Sequence, residues 1–227
     1  MPNTEDRTTP VTIIGGGPVG LLLALLLDYF GVKSTIINTE PNERWHPKGN
    51  GQNARTMEIY RRLGFSDGVR KLGLPPDHPF DQACFTRLSK HEIFRFPMPS
   101  REERIAMRRE MPVTDQLPEP MFHVNQMFVE RFLLQKASAT SNIDVRFGWN
   151  AEWFTQDEAR VRVHARKVEN GEEVTWSSSY AVPTAHADSC ARRSASVTKA
   201  TYRKRMPIGQ ASFFPFICES PTFIQSS

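Results

Sequence analysis

At 227 residues, with 39% hydrophobic and 24% charged side chains, the chain has room for one globular domain and a little more. The formal net charge of +4 resembles a polyanion-binding signature until it is located: residues 183–227 hold six basic and two acidic side chains, which leaves 23 of each before them. The main body is therefore neutral and offers no electrostatic footprint for nucleic acid.

No apolar run approaches the roughly 20 residues that a membrane span needs, and residues 1–10 are too polar and acidic for a secretory leader. Cys84, Cys190 and Cys218 are too sparse for a zinc pattern or a disulfide framework. The expectation is a cytoplasmic protein with reduced thiols, no membrane span and no nucleic-acid partner.

In chain order, residues 11–14 form a β-branched run of the kind that a buried parallel strand requires. A glycine-rich turn follows. Residues 21–30 are apolar without Gly, Pro or β-branching, which predicts a buried helix closed by Gly31. Residues 33–37 predict a second strand, and the whole is a strand–turn–helix–strand unit on the βαβ scale. A helix is expected over 53–63, stopped by Gly64. Residues 73–121 are rich in proline and read as an irregular excursion, with strands near 83–88 and 92–96. Apolar positions at helical spacing predict a helix over 125–140. A third strand is expected at 144–147, then short β segments at 151–155, 160–166 and 173–178. Asn170-Gly171 signals a tight hairpin between the last two. A further strand starts at 180–182, after which periodicity disappears.

The strongest motif is Gly15-x-Gly17-x-x-Gly20. Gly15 permits the sharp turn off the strand, Gly17 lets a pyrophosphate approach the backbone, and Gly20 lets the helix pack closely on the strand. Pro18 and Val19 complete a helix N-terminus whose free N–H groups and dipole favour a phosphate. An acid about 20 residues on should hold the ribose hydroxyls. Asn38 stands at the end of the second strand and Glu40 two residues later, and the sequence leaves open which of them acts.

Gly31-Val-Lys, His46-Pro-Lys-Gly, Asn53-Ala-Arg-Thr-Met-Glu58 and Arg61-Arg-Leu-Gly64 together resemble the class A flavoprotein aromatic hydroxylases, the group of phenol 2-monooxygenase and para-hydroxybenzoate hydroxylase. The order of segments agrees over residues 8–182. The resemblance implies an α/β fold: a Rossmann-like FAD-binding domain with a parallel sheet and an antiparallel β-meander. It implies FAD as cofactor, NADPH or NADH as co-substrate, and hydroxylation of a small aromatic molecule with O2. It places Lys48 near the flavin and its phosphates, where the family usually has an arginine; lysine keeps the charge and loses the bidentate fork. Arg55 is a second candidate on the adjoining helix. Gln126 matches a glutamine that hydrogen-bonds the cofactor, and its amide both donates and accepts.

After residue 182 the family continues Gly-Ala-Asp-Gly-Ala, but this chain reads Pro183-Thr-Ala-His-Ala. Stepping the reading frame back one base allows Pro183 to become Ala, Thr184 Asp and Ala185 Gly, and recovers the family pattern through residue 200. The expectation is therefore an incomplete FAD-binding domain at 1–182 and a non-native, disordered, frame-shifted tail at 183–227, with the substrate domain and later FAD motifs absent. No catalytic residue and no metal site is expected. Two alternatives are a non-catalytic fragment with weak or no FAD binding and an NAD-dependent Rossmann oxidoreductase, though a classical dehydrogenase would continue with further βαβ units.

Overall fold

Six strands make the central sheet of the computed structural model, which describes residues 6–42, 46, 48–87, 89–111 and 119–184. The chain runs through β1 (Asp6–Ile14), α1 (Pro18–Tyr29) and β2 (Ser34–Asn38) to β3 (Gly51–Gln52), α2 (Ala54–Arg62) and α3 (Ser66–Arg70). An excursion with β4 (Gln82–Phe85), β5 (Glu92–Phe96) and α4 (Arg101–Glu110) follows. The chain then returns through β6 (Phe122–His123), α5 (Gln126–Ser138), β7 (Ile143–Phe147), β8 (Trp149–Gln156), β9 (Val161–Lys167) and β10 (Glu173–Pro183). The tail expected to be frame-shifted and disordered falls, from residue 185 on, outside the described residues.

The sheet order is β7-β2-β1-β10-β9-β8. β7, β2, β1 and β10 are parallel, while β9 and β8 pair antiparallel beyond β10. This is a mixed sheet, parallel at its centre with a meander at one side.

Both faces are covered, which explains the continuous burial of β2 from Ser34 to Ile37. On one face α1, α2 and α5 bury Ile13, Leu21, Ile36, Met57, Tyr60, Val129 and Leu133. On the other, the meander encloses Ile14, Ile37, Trp149, Val163 and Trp176, with the two indoles edge to face at 5.1 Å. Each fully buried side chain of this size stabilises the fold by about 1.5–3 kcal/mol. α1 forms because Pro18 opens it with a preset φ and the following leucines carry no β-branch. It stops at Gly31, whose φ of +72° only glycine adopts at little cost.

The structure alters several sequence expectations. β1 starts at Asp6, because its early residues pair with Thr175 to Ser178 of β10. The segments expected at 173–178 and 180–182 are one strand: exposed Ser179, left between them, continues the ladder that pairs Thr175–Ser178 and Tyr180–Pro183 with β1. β10 continues to Pro183, past residue 182. The loop at Asn170-Gly171 is wider than a two-residue turn. Lys167 N–H donates to the Glu172 carbonyl, Gly171 N–H returns to Lys167, and the Asn170 side chain accepts from Glu172 N–H. Gly171 supplies the positive φ of +75° that closes it.

α4 lies where only strands and loop are expected. Its start is a capping box: the Ser100 hydroxyl accepts from Glu103 N–H, and the Glu103 carboxylate accepts from Ser100 N–H.

Candidate functional site

The carboxyl ends of β1, β2, β7 and β10 meet at one edge of the sheet. β1 is the strand from which the chain turns into α1 and on to β2 on one side, while β10 lies on the other. Such a switch point is where open α/β sheets bind ligands. Gly15 leaves β1 with φ +117°, and its N–H donates to the Ile37 carbonyl at 2.8 Å. A Cβ on Gly20 would sit 1.9 Å from the Gly15 carbonyl oxygen, so helix and turn touch backbone to backbone. A Cβ on Gly17 would meet nothing within 4 Å, so the space beside it is open. The three glycines thus differ: Gly15 has a positive φ, Gly17 has open space beside it and Gly20 lies against the turn.

α1 begins at this turn with Gly17 as N-cap, no capping side chain and no acid in its first turn. Its first N–H groups therefore have no partner within the helix, and Pro18 has none to offer. The arrangement fits a pyrophosphate: open space over Gly17, uncommitted donors, and the positive end of a 12-residue helix.

At the end of β2, Asn38 is partly buried. Its Oδ1 accepts from Gly16 N–H at 3.0 Å and its Nδ2 donates to the Glu40 carbonyl at 3.2 Å. Glu40 is exposed, and its carbonyl also accepts from Gly148 N–H. Phe147, opposite Asn38 in the ladder, packs its ring where a Cβ on Gly16 would be, 2.5 Å from that position.

A second group forms on the helical side. β3 and β6 pair antiparallel, and Val124 N–H and Gln126 N–H extend the ladder to the carbonyls of Asn50 and Gly49. The loop bearing exposed Lys48 is thereby fastened to the start of α5. Gln126 Nε2 donates to Glu130 at 2.6 Å, and a Cβ on Gly49 would come 3.4 Å from Gln126 Oε1. Glu130, only 5% exposed, thus orients the amide. Tyr60 donates to Gln52 at 3.2 Å, and burial pushes its phenol well above its usual pKa. Arg55, in the first turn of α2, is exposed and paired with Glu58 at 3.0 Å. The two groups are joined through a shared core containing Leu21, Met57, Tyr60 and Val129.

Sequence reasoning missed Thr184 and Phe147. Thr184 follows β10, is 7% exposed, and bonds to the backbone of Ile14 and Gly15. Its pairing with β1 depends on a strand that is remote in sequence. Phe147 was within an expected strand, but only register with Asn38 puts it against Gly16. Among the described residues no group of His, Cys, Asp and Glu could hold a metal ion, and no helix is long and apolar enough to cross a membrane.

Comparison with known proteins agrees with this geometry. The family model described as FAD binding domain matches residues 8–223, which includes segments past residue 182. The chain is 32% identical over 197 residues to the FAD-dependent monooxygenase apdD of Emericella nidulans, covering 86% of this chain and 31% of that protein. It is 30% identical over 174 residues to 2,4-dichlorophenol 6-monooxygenase of Cupriavidus pinatubonensis, covering 77% of this chain and 28% of that protein. Among solved structures, the rebeccamycin biosynthetic enzyme RebC with reduced flavin superposes with TM-score 0.67 at 28% identity, over 83% of this chain and 34% of that one. The flavin-dependent monooxygenase PieE in complex with FAD and substrate gives TM-score 0.68 at 26% identity, over 80% and 30%. The chain spans about a third of the length of these relatives. With its glycine turn, helix N-terminus and meander in place, it belongs to the FAD binding domain family of the class A flavoprotein aromatic hydroxylases.

Proposed function

We propose that this chain is the FAD-holding portion of a monooxygenase that hydroxylates a small aromatic or polyketide-like molecule. The observation that carries the reading is the open, uncapped N-terminus of α1 at the glycine turn, with the Lys48 loop fastened to Gln126. Gly15, Gly17, Pro18, Val19 and Gly20 would receive the pyrophosphate, the helix dipole favouring its charge. Asn38 and Glu40 stand on the ribose side. Lys48, Arg55 and Gln126 stand on the flavin side: Lys48 supplies positive charge, Gln126 an amide held in one orientation by Glu130, and Arg55 a cation that must exchange its exposed pairing with Glu58.

When bound, the flavin supplies the redox and oxygen-transfer chemistry, with NADPH or NADH as electron donor and O2 as co-substrate. The chain's own residues bind and orient it. A cytoplasmic setting, with a small molecule rather than nucleic acid as partner, belongs to the same proposal and is supported by the neutral main body and sparse cysteines.

The test is flavin absorbance of the purified protein, with thermal stability measured on adding FAD or NAD. A yellow protein, or one stabilised selectively by FAD, is expected. A colourless protein that FAD does not stabilise would overturn the reading in favour of a non-binding fragment. Selective stabilisation by NAD would favour a nicotinamide enzyme.

A further inference from the structure

The peptide unit joining Gly15 to Gly16 is held at both ends by side chains from opposite neighbours of β1. Its N–H, on Gly16, donates to Asn38 Oδ1 at 3.0 Å, at the end of β2. Its carbonyl, on Gly15, accepts from Thr184 Oγ1 at 3.0 Å, just beyond β10. The same hydroxyl lies 3.1 Å from the Ile14 carbonyl, so its single proton is shared between two acceptors. Thr184 N–H also donates to Ile14 at 2.9 Å, which fixes the hydroxyl's position by extending the ladder. Thr184 Oγ1 would lie 2.9 Å from a Cβ on Gly20, so it fills the angle between turn and helix.

Both Asn38 amide atoms are engaged, Oδ1 with Gly16 and Nδ2 with the Glu40 carbonyl. An Asn that spends its acceptor on the turn does not have that lone pair free along the same line for a ribose hydroxyl. The peptide between Gly15 and Gly16, by contrast, is bonded at its N–H and at its carbonyl, which restrains it against flipping directly before Gly17, where the space beside the backbone is open.

We propose that Asn38 and Thr184 are positioning residues that clamp this one peptide and so preset the Gly17 N–H for the pyrophosphate, leaving the ribose to Glu40. The clamp rests on the reading of the turn as the FAD site, but it exists in the FAD-free chain and can be tested there.

The experiment uses the full chain with four variants, Thr184→Val, Thr184→Ser, Asn38→Leu and the double Thr184→Val/Asn38→Leu. FAD affinity is read by flavin fluorescence, and the Gly16 and Gly17 amide resonances are read without FAD. Valine keeps the shape of threonine and removes the donor; serine restores it. Thr184→Val and Asn38→Leu should each weaken FAD binding about three- to tenfold, the range of one hydrogen bond. The Gly16 amide should shift in both, and Thr184→Ser should return affinity and resonance to near wild type. The double variant should lose less than the product of the single losses, because both act on one peptide. Wild-type affinity with unmoved amides in Thr184→Val would overturn the clamp, and so would a loss that serine does not rescue. If no variant, wild type included, binds FAD while the amides shift as described, the clamp stands and the FAD reading falls.

Discussion

The sheet with its helices and the excursion between residues 73 and 111 are built on opposite terms. In the sheet, strands and helices are fixed by burial: Ile13, Ile36, Val129, Leu133 and Val163 are fully enclosed, and polar residues such as Thr12 and Ser177 are enclosed with them. In the excursion, β5 is exposed along its whole length and α4 buries none of its residues. Ile93, Phe94, Phe96, Met107 and Met111 are each about half exposed or more. What shapes the excursion is local and polar: the Ser100–Glu103 capping box, Arg95 between Glu92 and Asp81, and the Asp81 carboxylate accepting from Met98 N–H. That last bond, with Arg95, holds Asp81 below the usual carboxylate range. Two-stranded sheets without a covered face are marginal in water, so the excursion depends on its fastenings to the core. The glycine turn thus sits on the buried part of the molecule, not on the excursion.

The largest effect is expected at Gly20. Gly20→Ala would force a Cβ to within 1.9 Å of the Gly15 carbonyl, and backbone cannot retreat there as a flexible side chain could. A loss of about 3 kcal/mol in denaturant unfolding, together with loss of FAD binding, is expected. Gly17→Ala is the contrast: open space and φ −79° tolerate the methyl, so stability should stay within about 1 kcal/mol while FAD binding weakens. If both variants lose stability equally, the division between packing glycine and ligand glycine is wrong.

The next largest effect concerns the fastening of the excursion. Glu119 pairs with Arg70, both side chains being largely buried, and lies 3.6 Å from Arg61. Arg70 and Arg101 flank the Phe122 ring at 5.5 and 5.6 Å, and each has one buried guanidinium nitrogen without a hydrogen-bond partner. Burial, with Arg70 nearby, lowers the Arg101 pKa. Glu119→Ala leaves Arg70 uncompensated and should cost about 2 kcal/mol, below the range of fully buried pairs because water reaches the edge. Hydrogen exchange should show the loss around α3 and β6, with the β1–β2–β7 core unchanged.

A smaller and more local effect is expected at the α4 cap. Ser100→Ala removes the acceptor for Glu103 N–H and should destabilise α4 by about 1 kcal/mol. It should be visible as faster proteolysis within residues 101–110 but not as a change in FAD affinity. A fall in FAD affinity would show that the excursion is coupled to the cofactor edge.

The smallest effect is acid sensitivity, carried by His123 on β6, which packs against the excursion's Phe80, and by His164 in the meander. His123, edge to face with Phe80 at 4.5 Å, is lowered by burial and by Arg104. His164, stacked on Trp153 at 3.5 Å and bonded to Thr175, is lowered by burial and by Arg162. In both, the folded state favours the neutral ring. Their stabilising contribution is present above the unfolded pKa of about 6.5 and is lost as pH falls through the lower folded values. Unfolding midpoints at pH 7.5 and at about 5.5 should therefore differ. The difference should shrink in His164→Gln and His123→Gln, and exchange rates should assign one share to the meander and the other to β6. An unchanged pH difference in both variants would remove the histidines as its source.

The glycine turn, the helix after it and the parallel strands were legible in the amino-acid order alone, because these depend on short-range rules. A β-branched run makes a strand, leucines without Gly or Pro make a helix, and Gly15, Gly17 and Gly20 are each needed at a fixed offset. The same rules misread 173–182 as two strands, since exposed Ser179 interrupts the pattern and only the pairing of both halves with β1 makes them one. They also missed α4, whose capping box is legible but whose face is not apolar. At the site, the candidates were legible as residue types, whereas their division of labour was not. Only the tertiary structure decided that Asn38 turns toward Gly16, that Gln126 is oriented by Glu130, and that Thr184 returns to Gly15 across 169 residues of sequence. The physical reason is that hydrogen bonds of this kind depend on register between strands, and register belongs to the sheet as a whole rather than to any segment of the chain.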